Sequence, residues 1–273
     1  MMKSSFSTLA CPDWSLQEVL AAAANYGYDG VELRVISREL DLWKLSEFKS
    51  SSLAATRAAI EDQGLVVAAM GSSGCFHSAD IQERERNFDS ALRMAEIASG
   101  LGAPAIRVFG DRIQPGSERK QTVERIVDSL TRLADRLRPG GVQVWLETHG
   151  DFAAAADVSE ILAQLNSADV GLIWDPANAY EQSGEIPLIL PQMSSRIRHV
   201  HLKDLVRDVQ GSSCYVPTGE GEFPFHTMFA ALKAIGFDGF VSFEWEKLWH
   251  PELAAPEVAL PRFIEWWKSR EVA

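Results

Sequence analysis

Cysteine is scarce in this chain: only Cys11, Cys75 and Cys214 occur in 273 residues. Three scattered thiols cannot build a disulfide framework or a thiolate zinc site, so they are expected to stay reduced, in a reducing compartment. Long apolar runs are missing as well, since nothing approaches the ~18–20 residues of a membrane helix. Behind Lys3, the polar residues Ser4, Ser5, Ser7 and Thr8 interrupt what would have to be the apolar core of a secretion signal. A soluble, cytoplasmic protein that does not engage membranes is expected. Positive charge is also in short supply, with 26 Lys and Arg against 38 Asp and Glu and a net charge of −12. Such a surface repels phosphate and argues against nucleic acid as a partner. No linker or low-complexity stretch divides the chain, and no GxGxxG follows the first apolar segment, which weakens the case for a doubly wound dinucleotide-binding sheet.

What is present is an alternation. Hydrophobic residues make up 46% and charged residues 23%, an ordinary globular balance that excludes a disordered chain. Apolar segments at Phe6–Ala10, 30–35, 65–70, 105–109, 142–147, 170–174, 197–202 and 240–244 read as strands. Each is followed by a helical pattern. Leu16, Val19, Leu20 and Ala23 share one face of the first helix, which Ser15 and Glu18 open as a capping box and Gly27 closes. Further helices are expected at 53–61, 81–99, 119–137, from an Asp157 cap to Leu165, near 187–194, at 227–234 and at 257–269. Val-, Ile- and Leu-rich strands alternating with helices suit a parallel sheet covered on both faces. YGYDGV (26–31) and IGFDGF (235–240) repeat one helix-to-strand junction. A single (β/α)8 TIM barrel spanning residues 1–273 is predicted. The longest irregular stretch, 205–225, holds Gly211-Ser212-Ser213 and Gly219-Glu220-Gly221, and a loop of that length usually carries function.

In such a barrel the chemistry sits at the C-terminal ends of the strands. There the sequence reads LETHGD (146–151), WDPAN (174–178), HVHLKD (199–204) and FEWE (243–246), so four successive strands finish in Glu147, Asp175, His201 and Glu244. A buried carboxylate must be paired or bound to metal, because an isolated one is costly to desolvate. One such residue alone is equally well explained by an ion pair at the barrel rim. Four in succession favour a single divalent ion, and three carboxylates with one imidazole suit Mn²⁺, Mg²⁺, Co²⁺ or Zn²⁺.

With those motifs, in that order, and with YGYDGVELR (26–34) and GEGEFPF (219–225), nearly the whole chain resembles the xylose-isomerase-like barrels, which include sugar isomerases, sugar epimerases and type IV apurinic endonucleases. The resemblance implies that Glu147, Asp175, His201 and Glu244 are metal ligands. By likeness to the ketose 3-epimerases, Glu147 and Glu244 would also be the catalytic acid–base pair. The implied reaction is isomerisation or epimerisation of a sugar or keto-sugar through an enediolate, in carbohydrate metabolism. A dehydratase of a keto-sugar or keto-inositol is the alternative on the same metal site, and a non-catalytic sugar-binding subunit a third. Arg207, six residues after His201, matches a substrate-binding arginine of those epimerases, whereas Asn178 and Ala153 stand where they carry a histidine and a glutamate. The endonuclease reading is disfavoured, because the fourth strand ends Phe109-Gly110-Asp111 and residues 205–225 contain no histidine for additional zinc ions.

His149 and Lys203 lie two residues beyond Glu147 and His201 with the same strand parity, so both are expected to face a small sugar or polyol substrate. His199 lies deeper and is expected to be a hydrogen-bonded core residue. Trp14 and Trp245 are candidates for an aromatic wall. Arg34 either approaches the substrate or pairs with Glu32, and His77 lines the pocket or lies in a loop. Trp266-Trp267 serves either barrel packing or a subunit contact, which leaves a homo-oligomer open.

Overall fold

A computed structural model describes residues 2–166, 168–184, 188–208 and 212–270. Eight parallel strands close into a barrel: β1 (Lys3–Ser7), β2 (Gly30–Leu33), β3 (Val66–Cys75), β4 (Ala105–Phe109), β5 (Gln143–Glu147), β6 (Val170–Trp174), β7 (Ile197–Leu202) and β10 (Phe240–Phe243). The order around the barrel is β1-β10-β7-β6-β5-β4-β3-β2. Closure rests on the β1–β10 register, Ser4 against Val241 and Phe6 against Phe243. The remaining pair, β8 (Asp204–Arg207) and β9 (Ser213–Val216), is an antiparallel hairpin. Around the barrel run α1 (Leu16–Tyr26), α2 (Leu53–Asp62), α3 (Ile81–Leu101), α4 (Arg119–Leu137), α5 (Ala155–Leu162), α6 (Pro176–Ser183), α7 (Pro191–Ser194), α8 (Phe225–Ala234) and α9 (Pro256–Arg270).

Side chains alternate across each strand, and one parity faces the barrel axis. On that parity Ala69, Ala105, Trp145 and Ile173 pack as a small apolar cluster separate from the main core. Two residues further along the same strands stand Arg107, Glu147 and Asp175, so the chain switches from apolar filling to ionisable groups within one layer. The opposite parity supplies the main core. Val144, Leu146, Leu172, Val200 and Val241 meet the inner faces of the helices there.

The Ser15–Glu18 capping box forms, and Gly27 ends α1 in the left-handed conformation with φ +82°. Several expected boundaries move. Residues 8–10 are a 3-10 turn rather than strand, because Ser7 Oγ accepts from Leu9 N while Thr8 Oγ1 accepts from the amides of Arg34 and Val35. Asp157 is not a cap: Ala154 holds that position, and Asp157 sits in the first turn 2.6 Å from Arg119 Nη2. The helix expected near 187–194 is shorter, Pro191–Ser194, and an unexpected helix precedes it. Helix α6 is capped by Asp175 with Pro176 at its first position, and α7 is a single turn. Pro187 lies outside the described residues. So does Gly211 of the long loop, the flanks of which form the β8–β9 hairpin instead of irregular chain.

Beyond the hairpin the chain is gathered onto one carboxylate. Asp204 accepts hydrogen bonds from the amides of Leu205 (2.9 Å), Gly219 (2.8 Å), Gly221 (2.9 Å) and Phe223 (3.3 Å). Glycine is required at 221, because a Cβ there would stand 2.1 Å from Asp204 Oδ1. Asp204→Ala strands four amide donors and should lower stability by about 2–4 kcal/mol. In urea unfolding that loss appears as a reduced midpoint, accompanied by proteolytic nicking within 217–223; a midpoint equal to wild type would remove Asp204 as the anchor of this segment.

Candidate metal and substrate site

Glu147 ends β5, Asp175 follows β6, His201 lies in β7 and Glu244 follows β10. All four are between 0% and 4% exposed. One donor atom from each lies within 4.8 Å of the others. His201 Nδ1 stands 3.2 Å from Glu244 Oε1, 3.8 Å from Glu147 Oε1 and 3.9 Å from Asp175 Oδ2. The four groups predicted from the strand ends therefore converge on one point.

The imidazole is aimed there by a carboxylate on the far side of the barrel. Glu32 of β2 accepts from His201 Nε2 at 3.0 Å and from His199 Nε2 at 2.9 Å. With its Nε2 proton committed, His201 presents Nδ1, which has no hydrogen-bond partner of its own. Burial works against the Glu32 charge, but His201 and His199 hold its carboxyl far below the ordinary range. Burial likewise pushes His201 down, and is overridden by Glu244, Glu32 and Glu147, which keep it protonated when no metal is bound. Asp175 is pushed up to about 7 by burial, against the opposing pull of Lys203.

Each glutamate has its own cation. Arg107 Nη1 holds Glu147 Oε2 at 2.8 Å. Burial opposes the Glu147 charge, yet Arg107 and His201 bring it down to about 2. Lys203 Nζ reaches Glu244 Oε2 (2.8 Å), Asp175 Oδ2 (2.9 Å) and Glu246 Oε1 (2.8 Å). Metal ligands make bonds of ~2.0–2.2 Å, so donors already clustered this closely need only small shifts to share one ion. Nδ1 of His201 and Oδ2 of Asp175 lack hydrogen-bond partners, the latter standing 2.9 Å from the Lys203 ammonium and 3.9 Å from His201 Nδ1, and both are what a cation would satisfy. Three carboxylates with one imidazole form a mainly hard donor set. The residues present fit a divalent ion.

Over these groups opens a cavity of about 220 Å³ lined by Leu9, Arg34, Arg107, Phe109, Glu147, His149, Lys203, Glu244, Glu246 and Trp249. A larger depression of about 770 Å³ lies between α1 and α2, but it is a surface groove remote from every ligand cluster. His149 and Lys203 line the small cavity, as strand parity predicts. His149 Nδ1 pairs with Asp111 Oδ1 at 3.1 Å, and burial, which would lower its pKa, is outweighed by that bond, so the ring is more basic than usual.

Three expected substrate contacts are not brought there. Asn178 is structural: its amide donates to Asp175 Oδ1 and its Nδ2 to the Thr148 carbonyl, which braces Asp175. Arg207 ends β8 with its guanidinium against Gly184. Trp14 packs on the main core, and Trp245 is buried with its indole N–H on the Ala254 carbonyl. The aromatic groups at the cavity are instead Phe109 and Trp249. His199 is a buried hydrogen-bonded residue as expected, while Arg34 does not pair with Glu32, whose oxygens are taken by the two histidines. His77 joins Cys75 and Asp111 in a smaller group beyond β3 and β4. Trp267 is core, and Trp266 packs in a tilted contact against Phe225.

Glu32, Arg107 and Glu246 carry much of this arrangement, yet sequence reasoning gave them no site role. A charged residue inside an apolar strand was the available signal for the first two: GVEL and AIRVF each place one on the inward parity. Glu32→Gln keeps the shape but loses the charge that fixes the His201 tautomer. Its Mn²⁺ affinity should fall about 10–100-fold in an electron paramagnetic resonance titration, with the circular dichroism of the barrel retained. Wild-type affinity in this variant would show that Glu32 does not position the imidazole.

Among curated proteins, the chain is 23% identical over 172 residues to a 2-oxo-tetronate isomerase of Pectobacterium atrosepticum, covering 60% of this chain and 62% of that one. It is 31% identical over 154 residues to an inosose dehydratase of Serratia proteamaculans, covering 49% and 50%. The chain thus spans only about half to three fifths of these relatives' lengths. Among solved structures, that of the IolI protein with a bound zinc atom superimposes with a TM-score of 0.80 at 21% identity, covering 96% of this chain and 95% of that one, a likeness of fold. Residues 20–270 match the sequence family described as the xylose isomerase-like TIM barrel. Taken with the closed eight-stranded barrel, that match places the chain in the xylose isomerase-like TIM barrel family.

Proposed function

We propose that this protein is a divalent-metal-dependent isomerase or epimerase of a small keto-sugar or sugar derivative. The observation that carries the reading is a pair of buried glutamates, Glu147 and Glu244, standing on strands separated by β6 and β7, each held by its own cation, with His201 and Asp175 between them. Glu147, Asp175, His201 and Glu244 would hold the ion. The zinc atom of the similarly folded IolI structure supports a metal at such a site. When bound, Mn²⁺, Mg²⁺, Co²⁺ or Zn²⁺ would supply polarisation of a ketone and its neighbouring hydroxyl, acidifying the intervening C–H.

The remaining chemistry belongs to the side chains. A glutamate beside the substrate takes the C–H proton as a general base. Returning that proton to the adjacent carbon isomerises the sugar. Delivery of a proton to the opposite face by the partner glutamate, in its acid form, inverts the carbon. Arg107 and Lys203 hold the carboxylates in place while protons move, and the walls of the cavity limit water.

A dehydratase is the second reading, supported by the Serratia relative and by one feature of this chain. After the same proton abstraction, loss of a β-hydroxyl needs an acid, and His149, made more basic by Asp111 and lining the cavity, supplies one.

Incubation of the Mn²⁺-loaded protein with ketoses and keto-polyols in D₂O, followed by NMR, separates the readings. Deuterium uptake with the carbon skeleton and oxygens retained supports isomerisation or epimerisation, and loss of water supports the dehydratase. Absence of exchange and of water loss across the panel would leave only a binding role. Glu147→Gln and Glu244→Gln should each slow exchange by about 10²–10⁴-fold. Near-normal exchange in either would remove that residue from the proton transfer. Because His201 and Asp175 both hold protons more tightly in the metal-free site, Mn²⁺ must displace protons to bind. Affinity should therefore rise from pH 6 to pH 8, by up to about tenfold per pH unit for each proton displaced. A flat profile would show that no proton is exchanged for the metal.

A further inference from the structure

Every ionisable side chain lining the cavity has an ion-pair partner in contact except one. Glu147 has Arg107, Glu244 and Glu246 have Lys203, and His149 has Asp111. Arg34 is only 6% exposed, and no carboxylate of the described residues lies within ion-pair distance of it. Its Nη2 donates to Ser73 Oγ at 2.8 Å, and its Nη1 has no partner. Asp41, Glu147 and Glu32 act on it only from beyond ion-pair distance. A buried cation with no carboxylate in contact is costly, and a chain that keeps one has a use for the charge.

The position is built rather than accidental. The Arg34 amide is fixed by Thr8 Oγ1 at 2.8 Å. Its stem lies over Gly71, where a Cβ would come within 2.5 Å of Arg34 Cδ and 3.2 Å of Arg107 Nη2. Glycine at 71 therefore lets two guanidinium groups stand side by side. Arg107 is spent on Glu147, and Arg34 lines the cavity with Nη1 buried and unbonded. Burial and the neighbouring Arg107 pull Arg34 down to about 9, which still leaves it charged at neutral pH.

We propose that Arg34 is a specificity-determining residue that receives a carboxylate of the substrate, so that the protein acts on a short keto-sugar acid rather than a neutral ketose. This rests on the reading of the adjoining four-residue cluster as a sugar isomerase or epimerase site. The geometry favours a monoanion over a phosphate dianion. One guanidinium nitrogen is free, and Glu147, Glu244 and Glu246 line the same small cavity. A carboxylate matches a guanidinium edge in shape and charge. The cavity of about 220 Å³ lies below the ~300–1,000 Å³ of drug-sized sites, which suits a small metabolite.

The test compares 2-keto-D-gluconate, D-fructose and D-fructose 6-phosphate by competition calorimetry on wild type, Arg34→Lys and Arg34→Met, each with and without Mn²⁺. Wild type should bind 2-keto-D-gluconate at least about tenfold tighter than D-fructose, a difference that one charge-assisted contact can supply. The preference should shrink in R34K and vanish in R34M. Equal binding in wild type, or a preference that survives in R34M, overturns the proposal. Tighter binding of D-fructose 6-phosphate than of the keto acid overturns the carboxylate assignment in favour of a phosphate. Melting of the ligand-free protein gives a second readout. R34M should melt at or above wild type, because an unpaired buried charge is replaced by an apolar chain of similar length. A fall of several degrees would mark Arg34 as a structural strut and overturn its role in binding. A protein that binds no Mn²⁺ would sink the isomerase reading instead, and the anion preference could still be scored on its metal-free form.

Discussion

The bond from Glu32 to His201 is the contact on which the site depends. It joins residues 169 positions apart and crosses the barrel from β2 to β7, strands that are not neighbours in the sheet. One carboxylate thereby fixes two imidazoles: His199 is locked as a filler below, and His201 is turned so that Nδ1 faces Glu147, Asp175 and Glu244. Without it the histidine could present either ring nitrogen, and three buried carboxylates would converge on a group with no fixed tautomer. The same bond keeps Glu32 itself charged in a place where burial alone would neutralise it.

Around that contact the barrel concentrates charge that most cores avoid. Arg107, Glu147, Asp175, His201, Lys203 and Glu244 are all buried. Desolvating such groups costs several kcal/mol each, and mutual attraction offsets the penalty only with good geometry. The arrangement meets that condition through alternation of sign: Arg107 against Glu147, and Lys203 against Asp175 and Glu244. Stability is supplied elsewhere, by the apolar layer between barrel and helices. Three buried polar atoms of the site, His201 Nδ1, Asp175 Oδ2 and Arg34 Nη1, are without a hydrogen-bond partner, although Lys203 Nζ stands 2.9 Å from Asp175 Oδ2.

Much of this was legible in the sequence. The strands at 105–109, 170–174 and 197–202 and the helix at 119–137 form at the residues expected, because continuous apolar runs and a clean helical stripe leave little choice. The four converging residues were legible for a related reason: a charged residue that ends an apolar run is conspicuous. Helix α6 escaped notice because it is short and lacks an apolar stripe, although Asp175-Pro176 is a start signal. The β8–β9 hairpin was hidden because its residues alternate weakly. Arg207, Asn178 and Trp14 illustrate a different limit. A match to a family's substrate-binding position, or a place near a strand end, brings a residue to the rim, but neither decides whether it turns inward, as His149 does, or braces a neighbour, as Asn178 does. Glu32 and Arg107 were missed because their roles depend on partners across the barrel or on the next strand, and spacing along the chain carries no such information.

The division of labour around the barrel explains why the four-residue cluster does not by itself name a reaction. Its members come from β5, β6, β7 and β10, which are consecutive in the sheet and form one half of the wall. The other half, β1 to β4, contributes Arg34 and Arg107 and, just past β4, Asp111, the partner of His149. If the cluster holds an ion and moves a proton, as proposed, it can stay the same while the facing wall changes. Substitutions at Arg34 and Gly71, which touch neither Glu147 nor Glu244, would alter the charge and shape facing the cavity, whereas Glu32 on β2 and Arg107 on β4 are tied to the cluster itself. On the proposed reading, discrimination between a keto acid, a neutral ketose and a phosphorylated one would fall to Arg34 and its surroundings, in the half-barrel that carries no member of the four-residue cluster. Gly71 shows how small the controlling feature can be. One missing methyl group lets a second guanidinium stand beside the first, and among the described residues that second charge has no carboxylate at ion-pair distance.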